Sequence, residues 1–168
     1  ERGAFGEQIV PITIPQRKGE SIVVSKDECP RPDISIEGLA KLKPAFKKDG
    51  LVTAGNSSPM NDGGSACIVM SREKAEALGL EWMLKFKAYA VAGVDPNYMG
   101  IAPVYSTRRL LSRTGLTIKD IDVMELNEAF AAQSVACIKD LGIDREKVNV
   151  NGGAIALGHP LAATGGIL

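Results

Sequence analysis

The sequence predicts an α/β layered fold, in which short strands and helices alternate along most of the chain. Apolar and alternating segments typical of strands recur from Val52 onward, and stretches with helical spacing separate them. Glycines stand where several of these helices should end. The 168-residue length and the 45% hydrophobic content fit one soluble globular domain or a large piece of one.

The N-terminal region is predicted to be mostly irregular and polar. Ile9 to Pro15 is apolar and β-branched but contains prolines, which cannot donate to a ladder, so an edge strand is expected. Ser21 to Val24 should form a second short strand, and residues 29–32 an extended connector. Ile36 to Leu42 can form a short helix.

The middle of the chain should contain two strands with a helix between them. Ala66 to Met70 is a continuous apolar run, as expected of a strand that is buried on both faces. Ser71 can cap a helix that ends at Gly79. Leu84 to Gly93 is predicted as the second strand.

The last third continues the alternation. Thr107 to Arg113 is predicted to be helical, Ile121 to Leu126 alternates as a half-buried strand does, and Glu128 to Leu141 should form an amphipathic helix. Val148 to Val150 leads as a strand into a glycine-rich turn, and a final helix should begin near Pro160. The sequence stops shortly after this helix begins, and no strand follows to cover the sheet edge, so we expect a truncated domain.

The charge balance argues against two classes of partner. The 20 basic and 20 acidic side chains cancel, which leaves no electrostatic footprint for nucleic acid or an anionic membrane. No apolar run approaches the roughly 20 residues of a transmembrane helix, and residues 1–7 resemble neither a signal nor a transit peptide. We therefore expect no nucleic acid, no membrane and a cytoplasmic location, with an organelle left open because there is no initiator Met.

The cysteines and the single histidine restrict the kinds of site that are possible. Cys29, Cys67 and Cys137 are an odd, widely spaced set that predicts neither a disulfide framework nor a metal-binding pair, so a reducing compartment is expected. Cys67 and Cys137 lie in apolar surroundings typical of inert core thiols. His159 is the only histidine, which argues against a multi-histidine metal site.

The strongest chemical signal is the run from Asn149 to Gly165, a strand followed by a glycine-rich turn and an imidazole. His159 precedes Pro160, and proline is tolerated at the first position of a helix. Such a histidine can polarise a carbonyl oxygen or abstract a thiol proton. It can equally be a buried residue that satisfies turn amides, and an isolated Gly-His-Pro favours this structural alternative.

Two further segments contain polar residues at places where ligands bind in α/β folds. Asn127 ends a predicted strand, where it can cap the next helix or hold a water toward an oxyanion. For Asn127 taken by itself, the capping role is favoured over the role of holding a water. Thr53 to Gly64 is a run of small polar residues that usually forms a turn, but it can also accept an extended polar ligand.

Taken together, these segments resemble the thiolase family over essentially the whole chain. The segments that carry the resemblance are Gly152 to Pro160, Asn127 to Phe130, Ala54 to Gly63, Tyr98 to Pro103, and Arg2 to Arg31, which resembles the end of the family's loop domain. The resemblance implies a layered α-β-α-β-α fold in the full enzyme. Residues 1–50 would be the end of the loop domain and a connector, and residues 51–168 the C-terminal domain, truncated at its C-terminus.

The resemblance also implies roles for individual residues. His159 would activate a nucleophilic thiol and contribute to an oxyanion hole, and Asn127 would orient the water that completes this hole. The expected binding residues for substrate and coenzyme A are Ser58 at the pantetheine, Arg31 near the adenine, Met99 and Phe130 in the acyl pocket, and Ala54 and Ala129 beside them. Departures from the family pattern are Ala162, where glycine is usual, and Pro59 in its loop.

The implied activity is that of an acetyl-CoA acetyltransferase-type thiolase, which condenses two acetyl-CoA or cleaves a 3-ketoacyl-CoA through an acyl-cysteine. Coenzyme A thioesters are the substrates, no separate cofactor or metal is expected, and a homodimer or homotetramer is implied. The family's two catalytic cysteines lie outside the matched residues, so the chain alone is expected to be inactive. A degradative long-chain 3-ketoacyl-CoA thiolase and a non-catalytic CoA-binding module are the alternatives.

Overall fold

The computed structural model describes residues 3–168, so Glu1 and Arg2, the first residues of the segment predicted to be the end of the loop domain and a connector, lie outside the described range. Near the N-terminus, β1 (Ile12–Ile14) and β2 (Ile22–Val24) form an antiparallel hairpin. The two short strands predicted here are therefore confirmed, within narrower bounds. Both strands are solvent-exposed, as expected for a small two-stranded ribbon.

Two short helices follow, and each begins at a serine whose side chain caps it. In α1 (Ile36–Ala40) the Ser35 hydroxyl accepts from the Gly38 amide at 3.1 Å. In α2 (Arg72–Ala77) the Ser71 hydroxyl accepts from the Lys74 amide at 3.2 Å, which confirms the predicted cap.

The longest helices are α3 (Ala102–Thr114) and α4 (Ala131–Leu141). Each ends at a glycine in the left-handed conformation, Gly115 with φ 69° and Gly142 with φ 64°, as predicted. α3 begins earlier than expected, because a proline early in its first turn is compatible with a helix. α4 begins later than expected, because Phe130 is extended.

A small core holds α3 and α4 together. Val104 and Cys137 are fully buried, and Ser134 is nearly so. The Cys137 thiol donates to the Gly100 carbonyl at 3.5 Å, which attaches α4 to the 3-10 stretch Pro96–Ile101 before α3. This core supports the segment that leads into α4.

The predicted strands at 66–70 and 84–93 are not formed among the described residues. Ile68 is 88% exposed and Leu84 is 89% exposed, so the expectation that the first run is buried on both faces is wrong. Cys67 is also exposed and is not the core thiol that was expected. An apolar run becomes a strand only when a neighbour accepts and donates its ladder hydrogen bonds, and no residue of 3–168 pairs with either run.

The strands predicted at 121–126 and 148–150 are not formed as continuous strands among the described residues. The two segments meet instead in a single parallel bridge between Met124 and Val148. The Met124 amide donates to the Lys147 carbonyl at 2.8 Å, and the Asn149 amide donates to the Met124 carbonyl at 2.9 Å. Parallel pairing brings the carboxyl ends of both segments to the same edge. The residues that follow each segment are thereby neighbours.

Two short helices close the chain. α5 (Ala154–Leu157) forms inside the glycine-rich turn and was not predicted. α6 (Thr164–Ile167) begins after a turn in which the Ala163 amide donates to the Pro160 carbonyl at 2.7 Å, so the final helix starts later than expected. No helix within residues 3–168 combines the length and apolar character that a membrane span requires.

Candidate functional site

A short segment, residues 57–61, connects the two motifs that were predicted to carry chemistry. At its start, Ser57 forms an isolated antiparallel bridge with Phe130, and the Ser58 amide donates to the Ala129 carbonyl at 3.0 Å. These contacts place the predicted binding residues Ser58, Ala129 and Phe130 side by side.

The other end of this segment holds the backbone of His159. Met60 pairs in parallel with His159, and the His159 amide is shared between the Pro59 carbonyl at 3.2 Å and Asn61 Oδ1 at 3.0 Å. Gly158 lies against the Asn61 side chain and has φ 103°, so a side chain here would be both strained and obstructed. The position of His159 is therefore fixed by its backbone and does not depend on its ring.

The half-buried ring of His159 has a polar partner at each nitrogen. Nε2 lies 3.2 Å from Asn127 Nδ2, and Nδ1 lies 2.8 Å from Thr164 Oγ1. The Thr164 hydroxyl also donates to the Pro160 carbonyl at 3.1 Å. The structure thus brings together the two residues predicted to be catalytic, His159 and Asn127.

Asn127 is held in place through its neighbour Leu126. Asn149 Oδ1 accepts from the Leu126 amide and Asn149 Nδ2 donates to the Leu126 carbonyl, both at 2.8 Å, so one side-chain amide replaces a strand pairing. Asn149 is buried and has φ 48°, a conformation that asparagine tolerates. Asn127 Oδ1 is buried and has no hydrogen-bond partner among residues 3–168.

Glu128 connects the same region to the glycine-rich turn. Its Oε1 accepts from Asn149 Nδ2 at 3.1 Å, and its Oε2 accepts from the Ile155 amide at 3.3 Å, at the start of α5. A Cβ at Gly153 would occupy the space of this carboxylate, so the turn can lie against Glu128 only because residue 153 is a glycine. Neither Glu128 nor Asn149 was singled out from the sequence, because nothing local indicates these partners.

The remaining predicted binding residues make no hydrogen bond or ring contact with His159 among the described residues. The Phe130 ring packs edge-to-face against Phe46, with centroids 5.7 Å apart. Met99 is 69% exposed, and Arg31 and Ala54 are also exposed. Within residues 3–168, no hydrogen bond or ring contact joins Arg31, Met99 or Ala54 to the catalytic pair, so their binding roles stay predictions.

A cavity of about 580 Å³ lies between the N-terminal hairpin and the glycine-rich turn. Its wall includes Asn127, Gly158 and Thr164 from the catalytic side, and Lys26 and Cys29 from the segment that follows β2. The volume is within the range of small-molecule sites. Of the residues that were predicted for substrate and coenzyme A, none forms part of this wall.

The cysteines are not paired with the imidazole. Cys137 is buried, and burial raises the pKa of its thiol, with a smaller contribution from Asp140, so its thiolate is disfavoured. Cys29 is half-buried, and its sulfur accepts from Asn61 Nδ2 at 3.3 Å. In the part of the chain that the structure describes, no cysteine sulfur forms a hydrogen bond with the His159 ring, and no cluster of metal-binding side chains occurs.

Known families match almost the whole chain. The family described as "Thiolase, N-terminal domain" matches residues 1–73, and "Thiolase, C-terminal domain" matches residues 80–168. The boundary between these two matches lies between residues 73 and 80, whereas a domain boundary after residue 50 was predicted from the sequence. The boundary after residue 50 stays a prediction.

Individual relatives agree with these families. The acetyl-CoA acetyltransferase of Pseudomonas aeruginosa is 56% identical over 165 residues, which are 98% of this chain and 42% of that protein. The crystal structure of the Bacillus anthracis acetyl-CoA acetyltransferase superposes with a TM-score of 0.90 at 53% identity, over 98% of this chain and 42% of the other. The crystal structure of human mitochondrial 3-ketoacyl-CoA thiolase superposes with a TM-score of 0.84 at 39% identity, over 98% of this chain and 41% of the other. The chain thus spans about two fifths of the length of these relatives.

Proposed function

The chain belongs to the thiolase family, and on this basis we propose that the complete protein is an acetyl-CoA acetyltransferase-type thiolase. It would join two acetyl-CoA into acetoacetyl-CoA and free coenzyme A, or catalyse the reverse thiolysis. The α/β thiolase fold predicted from the sequence agrees with the solved relatives. The observation that carries the proposal is the 3.2 Å contact between His159 Nε2 and Asn127 Nδ2. The other ring nitrogen, Nδ1, is hydrogen-bonded to Thr164 Oγ1.

In the proposed first half-reaction, His159 acts as a base. Its Nε2 takes the proton of a cysteine thiol supplied by the rest of the complete protein, and the sulfur attacks the thioester carbonyl carbon. The carbon–sulfur bond to coenzyme A then breaks, and the departing thiolate takes a proton from an acid supplied by the rest of the complete protein, while Nε2 keeps the thiol proton. The acetyl group remains on the cysteine, and no oxidant or metal is needed.

In the proposed second half-reaction, the conjugate base of that acid removes an α-proton from the second acetyl-CoA. The resulting carbanion attacks the carbonyl carbon of the acyl-cysteine, the carbon–sulfur bond to the cysteine breaks, and acetoacetyl-CoA leaves. Nε2, which still carries the thiol proton, can donate to the thioester oxygen as an oxyanion develops there and can then return the proton to the cysteine. The buried Oδ1 of Asn127, which has no protein partner within residues 3–168, can accept one hydrogen of a water whose other hydrogen points to that oxyanion. His159 therefore donates directly to the oxyanion, and Asn127 contributes a second donor through the water that it holds.

The proposal is tested by acyl transfer in the complete protein. Incubation with radiolabelled acetyl-CoA should place label on a cysteine, and added acetyl-CoA or coenzyme A should remove it. A protein that binds coenzyme A but takes up no label would be the non-catalytic module, and the proposal would be wrong. Rates with acetoacetyl-CoA and with long-chain 3-ketoacyl-CoA distinguish the degradative alternative, which the similarity to the human mitochondrial 3-ketoacyl-CoA thiolase keeps open.

The proposal extends to partners and location. Acyl-CoA and coenzyme A are the ligands, with no separate cofactor, and the complete protein would be a cytoplasmic homodimer or homotetramer. Light scattering on the complete protein would give the oligomeric state.

Ser58→Ala in the complete protein is expected to weaken coenzyme A binding by roughly 0.5–1.5 kcal/mol, the net contribution of one hydrogen bond. The backbone of Ser58 is already fixed by Ala129, which leaves the hydroxyl for the pantetheine. Calorimetric titration with coenzyme A measures the change. Ser57→Ala is the matched control, because its hydroxyl is bonded to the Thr53 carbonyl at 2.7 Å and should affect stability only. Unchanged affinity in Ser58→Ala would mean that the loop is only a turn.

A further inference from the structure

Thr164 is a buried threonine whose hydroxyl lies between the His159 ring and a backbone carbonyl. Its Oγ1 is 2.8 Å from His159 Nδ1 and 3.1 Å from the Pro160 carbonyl oxygen, and the residue is 6% exposed. A hydroxyl has a single hydrogen, whereas a carbonyl oxygen can only accept. The hydroxyl therefore either donates to Pro160 and accepts from Nδ1, or donates to Nδ1.

With the Asn127 amide oriented so that Nδ2 faces the ring, the opposite side of the ring distinguishes these two arrangements. Asn127 Nδ2 is a donor, and it lies 3.2 Å from His159 Nε2. If Thr164 donated to Nδ1, the neutral ring would carry its hydrogen on Nε2, and two donors would face each other. If Thr164 donates to Pro160, then Nδ1–H donates to Thr164 and the Nε2 lone pair accepts one hydrogen from Asn127, so no two donors face each other across the ring.

We propose that Thr164 is a positioning residue that holds His159 in the tautomer with its proton on Nδ1 and its lone pair on Nε2. This inference rests on the proposed function, because the Nε2 lone pair is the atom that takes the thiol proton there. Thr164 itself does not touch a reacting atom in the proposed reaction. It acts through the ring, as the acceptor partner of a catalytic histidine commonly does.

The test uses the complete protein with ¹⁵N-labelled histidine, and His159→Gln assigns the ring signals by their loss. At a pH where an ordinary imidazole is neutral, long-range ¹H–¹⁵N correlation distinguishes a protonated from an unprotonated ring nitrogen. Wild type and Thr164→Ser should show a protonated Nδ1. Thr164→Val should shift the ring toward the other tautomer and lower kcat about tenfold to a hundredfold, with KM for acetyl-CoA within about twofold.

A matched control separates the ring contact from the loss of a buried hydroxyl. Thr114 makes the same hydroxyl bond to a carbonyl one turn back, to Leu110 at 2.9 Å, but has no histidine beside it. Thr114→Val should leave the His159 signals and kcat unchanged. If Thr164→Val does not fold, Thr164→Ala removes the same hydroxyl with a smaller side chain, and the same ring-nitrogen signals and kcat are measured.

The inference and the proposed function can fail separately. A protonated Nδ1 that persists in Thr164→Val or Thr164→Ala overturns the inference, whatever the activity. A lowered kcat that Thr164→Ser does not restore also overturns it. Wild-type protein without acyl transfer, but with the expected tautomer, overturns the proposed function and leaves the contact established.

Discussion

Replacing His159 by alanine in the complete protein should lower kcat by about two to three orders of magnitude or more. Removal of a single oxyanion donor typically costs about 10²–10³ in rate, and loss of the base that takes the thiol proton adds to this. Both functions are assigned to Nε2, which faces Asn127 at 3.2 Å. Steady-state thiolysis of acetoacetyl-CoA measures the change.

The His159→Ala variant should still fold, because its backbone amide keeps the bonds to Pro59 and Asn61. Asn127→Ala should cost less activity, since its role passes through a water. Thermal unfolding of each variant separates activity from stability. If His159→Ala lowers Tm sharply while activity per folded molecule holds, the histidine is a structural turn residue and the oxyanion-hole assignment is wrong.

The 168-residue chain by itself should show no thiolysis of acetoacetyl-CoA above a buffer blank. An acyl-enzyme requires a thiolate beside the imidazole, and the three cysteines do not supply one. Cys137 is buried with a raised pKa, Cys67 is exposed on an unpaired segment, and Cys29 contacts Asn61 instead of the ring. The assay needs the complete protein at the same molar concentration as its positive control.

Turnover well above the blank that survives repurification would contradict this expectation. The His159→Ala form of the same chain then shows whether that turnover belongs to the site. Activity that disappears in this variant would mean that one of the chain's own cysteines reaches the imidazole. The Cys29→Ser variant would then show whether Cys29 is that cysteine.

The helices could be predicted because their signals are local. Ser71 caps α2 and Gly115 and Gly142 end α3 and α4, and each of these residues acts on backbone within one turn of itself. The strands at 66–70 and 84–93 were mispredicted because pairing is non-local. Their apolar patterns indicate what a strand prefers but not whether a partner is present.

The site shows the same division between local and distant information. The proximity of His159 and Asn127 could be anticipated because both lie in contiguous motifs that resemble a family. Their supporting residues could not, because Asn61 reaches His159 across 98 positions and Asn149 reaches Leu126 across 23. Thr164 lies only five positions from His159, yet only the geometry shows which ring nitrogen it contacts.

The exposed apolar runs determine how the free chain behaves at high concentration. Lys85 and Lys87 interrupt the run at 84–93, whereas residues 66–70 contain no charge. Charged residues of this kind limit edge-to-edge pairing between molecules, so we expect aggregation to start at residues 66–70. Light scattering of the free chain should therefore rise with concentration, and Ile68→Lys should suppress the rise more than Leu84→Lys. Equal suppression by both changes would show that the existing lysines give the second run no protection.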